Sequence, residues 1–129
     1  MIPRVALDTN ALSAIADAEP SMARYFKQEG DICLPVIVLG EFRYGILESR
    51  RQAAYERWLA ELLLSCRILD LTEETAKLYA QLRLQLKENG RPIPSNDLWI
   101  AALCLQHSLP LLSRDRHFDY VKGIQRLGW

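Results

Sequence analysis

The sequence predicts an α/β fold built on a mostly parallel sheet of about four to five strands. Two observations carry this expectation. Short apolar runs of strand length alternate with longer stretches of helical periodicity, the pattern that crossover helices between parallel strands produce. No Ser/Gly-rich linker, repeat or low-complexity segment interrupts the alternation. A chain of 129 residues, 50% hydrophobic and 25% charged, fits one domain, 1–129. That length suffices to bury a core without disulfide or metal staples.

Each element has its own signal. Residues 2–7 are an apolar run and give the first strand. Thr9 or Asn10 can cap a short helix reaching about Asp17. Residues 20–29 follow as a second helix, with Gly30 in the position favoured just past a helix end. Residues 31–34 are a short strand, and Pro35 leads into a helix reaching about Ser49. Between 50 and 64, Ala54, Trp58, Leu59, Leu62 and Leu63 recur at helical spacing. The strand 67–71 precedes Thr72, which caps a long helix. Glu73 and Glu74 lie in its first turn, where the helix dipole favours negative charge. Thr75, Leu78, Tyr79, Leu82 and Leu86 mark its expected buried stripe, and Gly90 ends it. Residues 91–94 are an extended connector, after which Ser95 or Asn96 caps an apolar helix reaching His107. A strand at 109–113, a single helical turn at 115–120 and a last strand at 124–127 complete the chain.

Composition narrows the function. Sixteen basic residues balance sixteen acidic ones, whereas a protein that grips nucleic acid by overall charge is basic. Any nucleic-acid contact is therefore expected to be local, or assembled by oligomerisation. Cys33, Cys66 and Cys104 are odd in number and lack a CxxC pair. They read as small buried hydrophobes in a reducing compartment rather than a disulfide or zinc framework. The chain opens on a strand-like run rather than a secretory signal, and its longest apolar run, 98–105, is too short to cross a bilayer. These features predict a soluble cytoplasmic protein with no membrane contact.

Four acids stand in apolar surroundings. Asp8 ends the run Val5-Ala6-Leu7, and Glu41 is the only charge between Val36 and Phe42. Asp97 opens the apolar run 98–105, and Asp115 follows the strand at 109–113. An unpaired carboxylate near a core is costly, so such groups pair with a base or a metal. No base is evidently placed to partner each one, which leaves a shared cation as the economical explanation. Asp8 and Asp115 follow the carboxyl ends of strands, beyond which open parallel sheets bind ligands. Clustered carboxylates repel one another without a cation, and hard oxygen donors suit Mg²⁺ or Mn²⁺. Metal-assisted phosphodiester hydrolysis is the corresponding chemistry. Each acid also has an ordinary reading: a turn or cap for Asp8, an exposed helix glutamate for Glu41, a first-turn acid for Asp97, and a surface ion pair with Arg114 or Arg116 for Asp115.

Four ordered blocks carry a family resemblance: Leu7-Asp8-Thr9-Asn10, Glu41-Phe42-Arg43-Tyr44-Gly45, residues 93–102 around Ser95-Asn96-Asp97, and residues 112–118 around Ser113-Arg114-Asp115. In these the chain resembles PIN-domain nucleases, specifically VapC-type toxins of prokaryotic toxin–antitoxin pairs, over essentially its whole length. The resemblance implies a PIN-like three-layer α/β/α fold and a Mg²⁺- or Mn²⁺-dependent endoribonuclease. It implies Asp8 and Asp97 as principal metal ligands, Glu41 completing the cluster directly or by positioning the hydrolytic water, and Asp115 as a fourth acid acting through water. Thr9, Asn10 and Ser113 fall at supporting positions. A cognate antitoxin, an RNA substrate and a homodimer are implied as partners, the dimer drawing on the helices at 50–64 and 72–89.

Flanking bases would help hold RNA against an acidic site. Arg114 and Arg116 are the best placed, with Arg43, Arg50, Arg51 and Arg91 as further candidates. Tyr44, Trp99 and Phe118 are expected in the core rather than as stacking platforms, and His117 on the surface. His107 and His117 do not form a metal-spaced pair, and no GxSxG elbow, Walker loop or GxGxxG is present. A phosphatase using Asp8 as nucleophile would want a second Asp two residues on, where this chain has Asn10. A non-enzymatic interaction module whose acids are structural is the remaining alternative.

Overall fold

A computed structural model describes residues 4–21 and 31–129. Among these, five strands form one sheet: β1 (Val5–Leu7), β2 (Ile32–Pro35), β3 (Arg67–Leu69), β4 (Leu111–Leu112) and β5 (Arg126–Leu127). Their order is β3-β2-β1-β4-β5, and every neighbouring pair is parallel. The helices are α1 (Thr9–Ala16), α2 (Val36–Glu48), α3 (Gln52–Leu63), α4 (Glu73–Glu88) and α5 (Ser95–His107), and a 3-10 turn spans Arg116–Tyr120. The helix expected at 20–29 and its closing Gly30 lie, beyond residue 21, outside the described residues.

The central strands are buried on both faces, as parallel strands covered by helices must be. Val5, Ala6, Leu7, Ile32 and Leu34 have no exposure at all. Because neighbouring residues on a strand point to opposite faces, Cys33 turns away from Ile32 and Leu34. It packs with Leu69 and with Leu103 of α5. Helix α5 is buried nearly all round, from Leu98 through Ile100 to Cys104, because α4 covers it and its Leu103 packs on Cys33 and Leu69 of the sheet. Helices α1, α2 and α3 pack on one another as a second group, and α2 also meets α5. Cys33 and Cys104 are buried. No helix among the described residues is long and apolar enough to cross a membrane.

Strands are shorter than the apolar runs suggest. Asp70 and Leu71 are exposed, so the chain leaves β3 early to reach the Thr72 cap. That cap closes a reciprocal box with Thr75. Two expected caps move. The cap of α1 is Asp8 itself, accepting from the backbone N–H groups of Asn10 and Ala11, rather than Thr9 or Asn10. Helix α5 starts at Ser95 behind Pro94, with no side-chain cap from Ser95 or Asn96. Ala54 is exposed, leaving Leu59 and Leu62 as the buried pair of α3.

Topology fixes where a ligand can sit. From β1 the chain moves outward through β2 to β3, then returns to place β4 on the other side of β1. The connections leaving β1 and β4 therefore diverge, opening a crevice at their carboxyl ends. Asp8 follows β1 and Ser113 follows β4. The Asp8 N–H donates to the Leu112 carbonyl at 3.2 Å, and the Ser113 N–H to the Leu127 carbonyl at 2.9 Å.

Candidate metal centre

Asp8 is buried at 4% exposure, at the mouth of this crevice. Four donors surround its carboxylate. Oδ1 accepts from the N–H groups of Asn10 (3.1 Å) and Ala11 (3.3 Å). Oδ2 accepts from the Asn10 side-chain amide (3.3 Å) and the Ser113 hydroxyl (2.5 Å). A carboxylate has about four lone-pair sites, so the helix start and the end of β4 together hold this group in one orientation. Burial pushes its pKa from 3.8 up to about 6, against the lowering effect of Ser113, Ala11 and Asn10, and the Asp97 charge pushes it further up.

Ser113 is fully buried and relays the arrangement onward. While donating to Asp8 it accepts from the Asp115 N–H at 2.9 Å. Asp115 then caps the 3-10 turn, accepting from the His117 N–H at 3.0 Å. The Asn10 side-chain oxygen accepts from the Arg114 N–H at 3.3 Å, so the turns after β1 and β4 are joined twice. Asn10 and Ser113 thus fix the geometry of the acids.

Asp97, in the first turn of α5, approaches from the other side. Its Oδ2 lies 3.4 Å from His117 Nδ1, and Asp115 Oδ1 lies 3.2 Å from the same nitrogen. Asp97, Asp115 and His117 each offer a ligand atom, all within 4.8 Å of one another. Burial raises the Asp97 pKa; the His117 hydrogen bond opposes this, and the Asp115 charge adds to it. Among the described residues, neither Asp8 nor Asp97 has a Lys or Arg salt-bridge partner.

Glu41 is half-buried on α2, beside the inward positions Val38 and Phe42. It lies outside the Asp97–Asp115–His117 group. Instead it lines a cleft of about 270 Å³ with Thr9 and Ser13 of α1 and Phe42, Gly45 and Ile46 of its own helix. His117 is exposed as expected, yet it joins the site. Its sequence neighbourhood gave no sign of this, because its partner Asp97 is 20 residues away on another element.

The bases divide. Arg43 pairs with Glu56 across α2 and α3 at 3.6 Å, which removes the simplest reason to assign it to RNA. Arg51 pairs with Asp17 and Tyr55, and Arg91 covers the Tyr120 ring. Arg114 lies 4.6 Å over the Trp129 ring. Arg114, Arg116, Arg126, Gly128 and Trp129 line a second cleft of about 390 Å³. Arg126 went unnoticed in the sequence. It grips Asp119 through two contacts, 2.8 and 3.1 Å, and donates to the Ser113 carbonyl at 3.0 Å, tying β5 to the 3-10 turn. Phe118 is buried as expected, and Trp99 stacks on Tyr79 at 4.0 Å. Tyr44, expected in the core, is 63% exposed. The inward face of α2 is set by Val38, Phe42 and Ile46, and Tyr44 falls off it.

Comparison with known proteins agrees with this architecture. The PIN domain model matches residues 5–124. The chain is 32% identical to Ribonuclease VapC5 of Mycobacterium tuberculosis over 94 residues, covering 71% of this chain and 70% of that protein. It is 31% identical to Toxin FitB of Neisseria gonorrhoeae over 121 residues, 86% and 87% of the two chains. Among solved structures, FitAcB from Neisseria gonorrhoeae superposes with a TM-score of 0.82 at 27% identity, over 95% of this chain and 96% of that one. A Rickettsia felis VapBC2 structure, bound to a DNA fragment from their promoter, gives 0.86 at 24% identity over 97% and 98%, a likeness of fold. The matched segment contains Asp8, Glu41, Asp97 and Asp115, and the chain belongs to the PIN-domain family.

Proposed function

We propose that this chain is a divalent-metal-dependent endoribonuclease, the toxin of a two-component module held in check by a cognate antitoxin protein. One observation carries the reading. Asp8 is held rigidly at the topological switch point, close enough to Asp97 to feel its charge, and neither acid has a Lys or Arg salt-bridge partner among the described residues. The donor set fits a hard cation, since the Asp97 and Asp115 oxygens converge and, among the described residues, neither they nor Asp8 form a salt bridge with Lys or Arg. Names borne by relatives support the chemistry and the partner: Ribonuclease VapC5, and the VapBC and FitAB complexes.

Asp8 and Asp97 would be the principal ligands of Mg²⁺ or Mn²⁺, with Asp115 beside them. When bound, the ion supplies Lewis-acid polarisation of a phosphodiester oxygen and lowers the pKa of a nearby water. The protein supplies position. Ser113 and Asn10 hold the Asp8 carboxylate still, and the 3-10 turn holds Asp115. The place of Glu41 on the neighbouring cleft supports a role in orienting the hydrolytic water. Arg114 and Arg116 supply positive charge on the other flank, suited to RNA phosphates that the acids alone would repel. The Asn10 amide donates to Asp8, which argues against a phosphatase that needs a second acid there.

The test is cleavage of RNA by purified, partner-free chain. Activity is expected with Mg²⁺ or Mn²⁺ and lost with chelator. Wild-type cleavage by Asp8→Asn or Asp97→Asn would overturn the assignment of these acids.

A further inference from the structure

We propose that His117 is itself a ligand of the bound cation, so that the centre is a mixed nitrogen and oxygen site selecting Mn²⁺ over Mg²⁺. This rests on the metal-nuclease reading above and goes beyond its all-carboxylate ligand set. The argument begins with distances. His117 Nδ1 is 3.2 Å from Asp115 Oδ1 and 3.4 Å from Asp97 Oδ2. Two ligand atoms each about 2.1 Å from one ion, at right angles, lie about 3 Å apart. The His117 nitrogen therefore already stands near the separation from each carboxylate that one shared ion requires, and all three ligand atoms lie within 4.8 Å of one another.

The imidazole is also fixed in place. The backbone N–H of His117 donates to Asp115 Oδ1, which anchors the base of the side chain within the turn that Asp115 caps. The next residue, Phe118, is buried in the core, and Asp119 is gripped by Arg126. A half-exposed ring on such a turn reaches the acids without a large rearrangement. Chemistry then gives the preference. Mg²⁺ favours oxygen donors and retained waters, whereas imidazole nitrogen suits later divalent metals, with Mn²⁺ tolerating both.

Pulsed electron paramagnetic resonance on the Mn²⁺-loaded full chain tests this directly. The wild type should show ¹⁴N echo modulation from a directly bound imidazole, absent in His117→Ala and His117→Gln. Mn²⁺ affinity measured by titration should fall about tenfold or more in both variants, since even outer partners of a metal site cost that much, while Mg²⁺ affinity changes little. Circular dichroism would confirm that the variants fold, and the exposed position of His117 favours this. Mn²⁺ binding to the wild type without nitrogen modulation would overturn the ligation, as would an unchanged Mn²⁺ to Mg²⁺ affinity ratio in the variants. Failure of the wild type to bind Mn²⁺ at all would instead overturn the metal-nuclease reading on which the proposal stands.

Discussion

Replacing Asp8 with Asn should stabilise the metal-free protein while destroying its cation site. Asp8 is 4% exposed, and burial lifts its pKa from 3.8 to about 6 despite four hydrogen bonds. At about 1.4 kcal/mol per unit, the buried charge costs about 3 kcal/mol at neutral pH. The sign follows from proton binding. Because the folded-state pKa is raised, the folded protein binds more protons than the unfolded chain between about pH 4 and 6. The Asp8 contribution to stability therefore falls as pH rises through that window and is flat above it. Asn retains an oxygen to accept from the Asn10 and Ala11 N–H groups, so the cap of α1 survives. Chemical denaturation in chelator should show Asp8→Asn more stable than wild type by up to about 3 kcal/mol at pH 7.5, with the gap closing toward pH 4. Added Mn²⁺ should then narrow the gap at pH 7.5 by stabilising only the wild type. A variant less stable than wild type at pH 7.5 without metal would refute the view of Asp8 as a strained, buried anion.

Three further outcomes are expected. Ser113→Ala strands the Asp115 N–H and loosens Asp8. It should cost about 1–3 kcal/mol of unfolding free energy and reduce cleavage, while Ser113→Thr preserves both better; equal stability of Ser113→Ala and wild type would argue against the relay. Arg116→Ala should weaken RNA binding and flatten its salt dependence by about 0.7 in logarithmic slope, the share of one phosphate contact on a single strand. An unchanged slope would remove Arg116 from the RNA path. Leu64 and Leu84 are 87% and 57% exposed, at the end of α3 and on α4. Sedimentation at micromolar concentration should find a dimer that Leu84→Asp weakens, and a monomeric wild type would refute the dimer.

Much of this was legible in the sequence because periodicity and burial are coupled. The runs around Val5-Ala6-Leu7 and Ile32-Cys33-Leu34 are apolar at every position, and both proved to be central strands. Asp8 and Glu41 stand out in the sequence for the same reason, as lone acids against apolar runs, whereas Asp97 and Asp115 only border such runs. What the sequence hid depends on tertiary placement. Asp8, Thr9 and Asn10 are all good cap residues, so only the path out of β1 decides that Asp8 caps α1. His117 sits in a polar stretch with no periodic signal, and its role exists only because α5 brings Asp97 to it. Arg43 was grouped with the acids through its nearness to Glu41 in sequence, but helical geometry turns it toward Glu56 on α3.

The central claim, that these acids hold the cation that enables RNA cleavage, is tested most directly by measuring two Mn²⁺ titrations on one preparation. One follows metal binding at equilibrium, the other the single-turnover rate of RNA cleavage. The account predicts a shared midpoint in the wild type, and in Asp97→Asn a weakened binding midpoint with cleavage lost or shifted in parallel. Cleavage that persists in chelator, or a rate that keeps the wild-type midpoint in Asp97→Asn, would contradict it.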